Sequence, residues 1–384
     1  MSARRGRVWK DTTTGRWGYV VDVAPPGEPR KQKRRRGFAS KGEAVAELGE
    51  ITGAVADGSY VGTSKATVAE TIADYIETQH AAGKIRAGTA ASYRHLLTKR
   101  IVPSIGALRV QQLRVGHLDH LYVRLLSTGR ERGEGAGLSP GTVRLTHALV
   151  SGALTWAVKK GLVTMNVASR ATVPESHVTE TATWTAAQVD GFLELVADDE
   201  DHALWHTAAR TGLRRGELLG LTWADVDDDY LDVKRNLTTV AGALVVGEPK
   251  TRRSRRRVPI GAETAAVLAD HRRGQRERWV ALGIRPETGL VFPAVDGRPR
   301  RPLQVTKRFA ALVAASGLPR TTFHGLRHAR ETWLHDAGVP LHTIAATMGH
   351  SPTMSLATYA HSGDEGLAAI RALDDGRNAR RALP

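Results

Sequence analysis

The chain has 384 residues, a length that predicts two or three domains. A formal net charge of +16 indicates a polyanionic partner, and arginine, the residue favoured for bidentate phosphate contacts, carries most of it, although a GC-rich genome would produce the same bias. The absence of cysteine excludes disulfides, thiolate metal ligands and cysteine nucleophiles. No apolar run approaches the roughly 20 residues of a membrane span, and the basic N-terminus lacks the apolar core of a secretion signal. A cytoplasmic protein without a membrane contact is therefore expected.

The first 60 residues have the pattern of a small sheet backed by a helix. Four large residues alternate with smaller or polar neighbours, which is typical of a half-buried strand: Trp17, Tyr19, Val21 and Val23. The stretch Arg30 to Arg36 holds six basic residues in seven positions. Ser40 and Glu43 have the spacing of a capping box that opens a helix running toward Val55. The alternative is a basic tail that only raises non-specific affinity for DNA.

A helical region follows a short linker at residues 58–64. Thr67 and Glu70 form a capping box there, and Ser139-Pro140 begins another helix with proline at its first position. Apolar residues recur at helical spacing up to about Ala171. The charged, glycine-rich stretch 129–137 is expected to be a mobile loop.

The last part begins after a second linker near residues 173–183. Thr185 and Gln188 cap a helix, and short strands are predicted at residues 230–234, 243–246 and 256–260. The remainder is mostly helical, and no internal repeat is present.

Five motifs in this last part occur in a fixed order. They are TGLRRGELLGLTW around Arg214, PKTRRSRRRVPI around Lys250, HGLRH from His324, MGHS at His350 and TYAH at Tyr359. Each motif alone is a weak signal, but the ordered set is specific. The set resembles the catalytic domain of the tyrosine recombinase (phage integrase) family.

The resemblance implies a multidomain protein, mainly α with small β-sheets. Residues 1–62 resemble an arm-type DNA-binding domain, a three-stranded sheet with one helix. Residues 63–173 resemble the family's helical core-binding domain, and residues 174–384 its mixed α/β catalytic domain. The basic N-terminal sheet places the chain among the arm-binding integrases, because the family's chromosome-dimer resolvases usually lack it.

The resemblance also assigns roles in metal-free phosphodiester cleavage. Tyr359 is the nucleophile of a 3′-phosphotyrosine intermediate, and His324 is in the right motif to accept its proton. Arg214 and Arg327 can each fork onto the non-bridging oxygens, where negative charge builds in the transition state. Lys250 would protonate the leaving 5′ oxygen, and His350 would donate a hydrogen bond to the phosphate. Glu217 would orient its neighbours.

Each candidate also has an interpretation without catalysis. Arg214 and Glu217, three residues apart, can be an exposed helical ion pair. Lys250 can belong to a simple phosphate-binding patch, His324 and His350 can be structural, and Tyr359 can be a packed aromatic. Their co-occurrence favours catalysis. Gly325 departs from the family's usual acidic residue but leaves the two functional positions of its motif intact.

The implied partners follow from the same resemblance. They are double-stranded DNA attachment sites, a homotetramer on two such sites, and host DNA-bending and excision factors, in a bacterial cytoplasm at the nucleoid. No metal or other cofactor is implied. The predicted DNA contacts are Arg30, Lys31, Lys33, Arg34, Arg35, Arg36, Arg252 and Arg253.

Three rival functions remain open from the sequence. A type IB topoisomerase or a chromosome-dimer resolvase would use the same catalytic residues. A helix-turn-helix regulator can be drawn from residues 341–361, with Gly349 in the turn. That regulator would leave Arg214, Lys250, His324 and Arg327 unexplained.

Overall fold

A computed structural model describes residues 6–24, 29–129, 137–175, 183–240, 242–247, 255–285 and 288–350. The chain forms two compact units, Met1–Val178 and Thr179–Pro384. Within the described ranges, no helix is both long enough and apolar enough to cross a membrane.

The first unit begins with the predicted three-stranded sheet. Strands β1 (Arg7–Lys10), β2 (Trp17–Asp22) and β3 (Gln32–Phe38) are antiparallel in that order, and helix α1 (Lys41–Ala56) packs on one face. Their core contains Tyr19, Val21, Val23 and Ile51. The three-stranded sheet with one helix is confirmed, and the helix begins where its cap was predicted.

The cap of α1 differs in detail from a capping box. Ser40 Oγ accepts a hydrogen bond from Glu43 N at 3.2 Å, as expected. The Glu43 carboxylate, however, accepts from Ala39 N at 3.1 Å rather than from Ser40 N. The reciprocal bond is therefore shifted by one residue, which still satisfies a backbone donor at the helix start.

The rest of the first unit is helical, as predicted. Its α-helices are α2 (Val68–Ala81), α3 (Ala87–Leu96), α4 (Val115–Thr128) and α5 (Pro140–Lys159), with a π-helical segment at Leu97–Gly106 and short 3₁₀ turns at Val110–Gln112 and Val167–Arg170. Ile72, Ile101, Leu121 and Val150 are among the residues of its apolar core. The Thr67–Glu70 capping box and the Ser139-Pro140 helix start are both present.

The predicted linker at 58–64 is fixed at its second half. Gln111 Nε2 donates to Gly62 O at 2.8 Å, and Gln111 Oε1 accepts from Ser64 N at 3.1 Å. The first half is also held, because Tyr60 N donates to Ala54 O at 2.8 Å and the Tyr60 ring packs against the core of the N-terminal sheet. The loop predicted at 129–137 and the second linker at 173–183 lie mostly outside the described residues.

The second unit is mixed α/β. Its helices are α6 (Ala186–Leu195), α7 (His202–Thr211), α8 (Arg215–Leu219), α9 (Ala262–Ala281), α10 (Pro302–Ala315), α11 (Phe323–Asp336) and α12 (Leu341–Met348), with a 3₁₀ turn at Trp223–Asp225; its strands are β4 (Tyr230–Val233), β5 (Asn236–Val240), β6 (Ala243–Gly247) and β7 (Arg256–Pro259). Strand β4 pairs with β7, and β5 pairs with β6, both antiparallel. Strand β5 was not predicted, because Thr238 and Thr239 hide the apolar alternation.

Aromatic rings in tilted and edge-to-face contact hold together the helices that carry the candidate site. Trp205 of α7, Phe309 of α10 and Phe323 of α11 contact one another at ring separations of 5.5 to 6.0 Å. All three belong to the apolar core of this unit. Because α11 is held against α7, residues one turn beyond Phe323 reach the C-terminal end of α7.

Candidate active site

Arg214 lies immediately before α8 and is held by Glu217. Glu217 Oε1 accepts from Arg214 Nη1 at 2.8 Å, and Oε2 accepts from Arg214 N at 2.9 Å. The second Arg214 terminal nitrogen, Nη2, donates to Gly349 O at 2.9 Å. The Arg214 side chain remains 34% exposed, so its guanidinium is accessible to a ligand.

Arg327, on α11, is almost fully buried beside Arg214. Its Nη1 donates to Gly212 O at 2.8 Å, after the end of α7, and its Nη2 donates to Met348 O at 2.5 Å, at the end of α12. Arg327 and Arg214 therefore donate to the consecutive carbonyls of Met348 and Gly349, respectively. Burial, followed by the charges of Arg214 and Arg256, lowers the pKa of Arg327 to about 10, which leaves it charged at neutral pH.

Both ring nitrogens of His350 are occupied by protein groups. Nδ1 lies 3.1 Å from Arg327 Nη2, and Nε2 lies 3.0 Å from Glu331 Oε1. Because the guanidinium can only donate, Nδ1 must accept and the proton must be on Nε2. Burial lowers the pKa of His350, and the charge of Glu331 opposes that shift without reversing it. In this arrangement His350 must change partners before it can donate to a phosphate.

His324 lies in the first turn of α11 and faces a cavity of about 380 Å³. Arg214, Arg215, Asn236 and Thr306 also line that cavity. Burial, and then the charges of His328, Arg327 and Arg214, lowers the pKa of His324 to about 4. A neutral imidazole beside two arginines can accept a proton at neutral pH.

Gly325, the departure from the family motif, has a local reason. A Cβ at this position would lie 2.2 Å from Thr321 Oγ1, so an acidic side chain would force Thr321 to move. The preceding Thr322 caps α11 by accepting from Gly325 N at 3.0 Å. The glycine leaves the positions of His324 and Arg327 on the helix unchanged.

Two residues of the site were not predicted, although the sequence holds a signal for each. Arg256 alternates with the buried Val258 on β7, which places both on the inner face. Glu331 follows Arg327 by four residues and therefore shares its helix face. Charged residues on a core-facing stripe indicate a buried polar network rather than a solvated surface.

Only some of the basic residues predicted to bind DNA lie within the part of the chain that the structure describes. Arg30 and Lys31 precede β3 and are exposed, whereas Lys33, Arg34, Arg35 and Arg36 lie on that strand. Lys250, Arg252, Arg253 and Tyr359 lie outside the described residues. The structure therefore brings Arg214, Glu217, His324, Arg327 and His350 together and gives no position for Lys250 or Tyr359.

The charge balance of this cluster favours an anionic ligand. Three guanidinium groups, those of Arg214, Arg256 and Arg327, face the carboxylates of Glu217 and Glu331. The formal charge of these five side chains is positive, in a partly buried place where an unpaired cation is costly. Among the described residues, no group of three His, Asp or Glu side chains is placed to hold a metal ion.

Comparison with known proteins matches two domains of the chain. Residues 185–365 match the phage integrase family, and residues 8–55 match an arm DNA-binding domain. An integrase of Streptomyces ambofaciens is 28% identical over 367 residues, which cover 92% of each chain.

Two solved structures share the fold. A Tn1549 transposon integrase in complex with a circular intermediate DNA gives a TM-score of 0.68 at 22% identity, covering 80% of this chain and all of that one. A lambda integrase tetramer bound to a Holliday junction gives a TM-score of 0.54 at 16% identity, covering 90% and 95%.

The matched phage integrase family domain is that of an enzyme that cleaves and rejoins DNA. Residues 185–365 of the chain are a phage integrase family domain, the catalytic domain of tyrosine recombinases, and residues 8–55, which hold the N-terminal sheet and most of α1, are an arm DNA-binding domain. Of the rival functions, the non-catalytic regulator does not account for the match to the phage integrase family domain.

Proposed function

We propose that this chain integrates and excises a phage or other mobile element by cleaving each DNA strand through a 3′-phosphotyrosine at Tyr359. The observation that carries the proposal is the convergence of Arg214 and Arg327 on the turn at Met348 and Gly349, with His324 facing the adjoining cavity. That turn leads directly into the segment containing Tyr359.

The proposed chemistry is a phosphoryl transfer without an added cofactor. The Tyr359 oxygen attacks phosphorus while the bond to the 5′ oxygen breaks. The phenol has an ordinary pKa of about 10, so His324 takes its proton. Lys250 gives a proton to the departing 5′ oxygen. Arg214 and Arg327 stabilise the charge that develops on the non-bridging oxygens, as oxyanion donors do.

Reversal of the same step joins the strands. The phosphotyrosine bond retains the energy of the broken phosphodiester, so a 5′ hydroxyl from another strand can attack it and release Tyr359. Exchange is then close to isoenergetic, and its direction must come from assembly. We propose a homotetramer on two DNA sites, with host DNA-bending and excision factors, at the nucleoid of a bacterial cytoplasm.

Each of the three domains predicted from the sequence would have a separate function. Residues 1–62 would bind arm-type sites, residues 63–173 the core site, and residues 174–384 would carry the chemistry. Tethered modules that bind separate sites gain effective concentration without new contacts. The N-terminal domain supports an integrase over a chromosome-dimer resolvase, since the resolvases of the family usually lack that domain.

A covalent-trapping experiment tests the proposed activity. A nicked duplex taken from the DNA that flanks the gene is incubated with the protein and a chelator, then resolved on a denaturing gel. We expect an adduct that resists denaturant, because the short fragment between the cleavage site and the nick, which carries the new 5′ hydroxyl, diffuses away and cannot rejoin. An adduct that forms only with added magnesium, or none on any flanking sequence, would contradict the proposal.

The register of the N-terminal sheet divides its arginines between two faces. Arg34 pairs with Val20 and Arg36 with Gly18, on the face opposite α1. Arg35 pairs with the buried Tyr19 and forms an ion pair with Glu47 of α1. The outer face is therefore the better candidate for DNA.

We expect Arg34→Ala with Arg36→Ala to weaken binding to arm-site DNA and to lower the slope of log affinity against log salt by about 2, one for each lost phosphate contact. Arg35→Ala, the matched control, should leave that slope nearly unchanged. Fluorescence anisotropy of the full chain at several salt concentrations measures both. Equal slopes for all variants would remove the outer face as the DNA-binding surface.

The lowered pKa of His324 predicts the pH dependence of cleavage. Its neutral form is the proposed base, so kcat/KM should fall on the acid side only near pH 4. A histidine with the ordinary pKa of about 6.5 would instead lose its neutral form roughly tenfold between pH 7.5 and 5.5. Rates on a nicked duplex, with tryptophan fluorescence to confirm folding at each pH, distinguish the two. A midpoint near 6.5 that disappears in His324→Gln would show that the shift is wrong.

A further inference from the structure

Arg256 lies on β7 with its side chain turned into the protein. The side chain is 5% exposed, whereas that of its neighbour Arg257 is 64% exposed and contacts Asp232 on β4. Alternation along the strand explains the contrast, since Arg256 shares the inner face with Val258. Arg256 is therefore buried and is not part of the surface to which the exposed Arg257 belongs.

The Arg256 guanidinium donates a hydrogen bond to each carboxylate oxygen of Glu217. Nη1 lies 3.1 Å from Oε1 and Nη2 lies 3.0 Å from Oε2, a bidentate pair. The same two oxygens accept from Nη1 and the backbone N of Arg214 at 2.8 and 2.9 Å. One buried carboxylate therefore holds two arginines, and its orientation determines that of Arg214.

Arg256 also supports the turn that precedes His350. Its Nε donates to Thr347 O in the last turn of α12. Gly349 has a φ of +67°, and a Cβ there would lie 2.9 Å from Arg256 Nη1 and 3.1 Å from its Cδ and Cζ. The backbone at Gly349 accordingly lies against the Arg256 side chain, and Gly349 O receives Arg214 Nη2 at 2.9 Å.

We infer that Arg256 is a positioning residue for the recombination reaction: it fixes the Glu217 carboxylate and the Gly349 turn, which together aim the Arg214 guanidinium at the scissile phosphate. Arg256 itself does not contact DNA. The inference rests on the proposed function, because it assigns Arg214 the role of phosphate ligand. A planar fork is required, and a lysine ammonium cannot span both Glu217 oxygens in this way.

Three variants test this inference in the full-length protein on a nicked duplex from the gene's flanking DNA. Arg256→Gln removes the charge, Arg256→Lys keeps the charge without the fork, and Arg257→Gln is the matched exposed control on the same strand. Two quantities are measured for each: the single-turnover cleavage rate at saturating DNA, and the dissociation constant over a range of salt.

We expect both Arg256 variants to cleave at least tenfold more slowly, with a dissociation constant within about twofold of the unchanged protein and the same salt slope. Arg257→Gln should cleave at the normal rate. If Arg256→Gln fails to fold, as a thermal melt would reveal, Arg256→Lys decides the matter. A reduced salt slope with a normal cleavage rate would make Arg256 a phosphate contact and overturn the inference.

A double-variant cycle separates positioning from general support of the fold. Once Glu217→Gln has removed the carboxylate, adding Arg256→Gln should slow cleavage little further, since both changes break the same link. Losses that multiply independently would overturn the inference. Failure of the unchanged protein and Arg257→Gln alike to form any adduct would instead refute the proposed function.

Discussion

Tyr359→Phe should abolish covalent capture of DNA while leaving the affinity for DNA nearly unchanged. The substitution removes one oxygen, the proposed nucleophile, and leaves the cations of the protein in place. The chain has no cysteine that could replace it as a nucleophile. A nicked duplex on a denaturing gel measures capture, and a mobility-shift titration measures binding.

The control for this variant is a second tyrosine that the proposed mechanism does not use. Tyr230 begins β4 and is 40% exposed, so Tyr230→Phe should capture DNA at the normal rate. Persistent capture by Tyr359→Phe would transfer the role of nucleophile to another residue. A parallel loss of binding would show that the substitution had disturbed the fold instead of the chemistry.

Arg214→Ala and Arg327→Ala should each slow cleavage by about 10²- to 10³-fold, the effect of losing one donor to a developing oxyanion, or about 3–4 kcal/mol. Binding should weaken much less, because the chain has a net charge of +16 and many other basic residues remain available to the DNA backbone. Single-turnover rates at saturating DNA give the first quantity and salt-dependent affinities the second.

The two arginines should differ in their effect on stability. Arg214 is 34% exposed, and Glu217 keeps its pair with Arg256 when Arg214 is removed. Arg327 is 4% exposed and donates to the carbonyls of Gly212 and Met348, which its removal would leave unpaired. Arg327→Ala should therefore lower the melting temperature and Arg214→Ala should not.

An exposed arginine of the same unit completes this comparison. Arg298, whose side chain is 85% exposed, should tolerate alanine with no change in cleavage rate or melting temperature. Cleavage that stays within about threefold of normal in Arg214→Ala would contradict its role in charge stabilisation. If only Arg327→Ala kept a cleavage rate within about threefold of normal, the role of Arg327 would be structural, as a hydrogen-bond donor to the end of α12.

Local patterns in the sequence predicted individual helices and strands, but they did not predict which of these pack against one another. Thr67 with Glu70 and Thr185 with Gln188 marked helix starts correctly, because a capping box is a short-range hydrogen-bond pattern. The pairing of Arg214 with Glu217 was also accessible from their spacing. The approach of Arg327 to Gly212, 115 positions away, depends on the packing of α11 against α7.

The burial of Arg256 shows how composition can mislead. A run of arginines beside Lys250 is naturally interpreted as a surface that binds phosphate. The alternation of Arg256 with Val258 indicated instead that Arg256 is on the buried face of the strand. The partners of His350 were likewise beyond the sequence, since Glu331 and Arg327 reach it from a helix that ends fourteen residues before it.

The most direct test of the proposed mechanism is identification of the residue that becomes bonded to DNA. The adduct formed on a nicked duplex in the presence of chelator is digested with protease and nuclease, and the nucleotide-bearing peptide is sequenced by mass spectrometry. We expect a single phosphodiester link from Tyr359 to a 3′ nucleotide. A link at any other residue, or to a 5′ phosphate, would contradict the mechanism proposed for this recombinase.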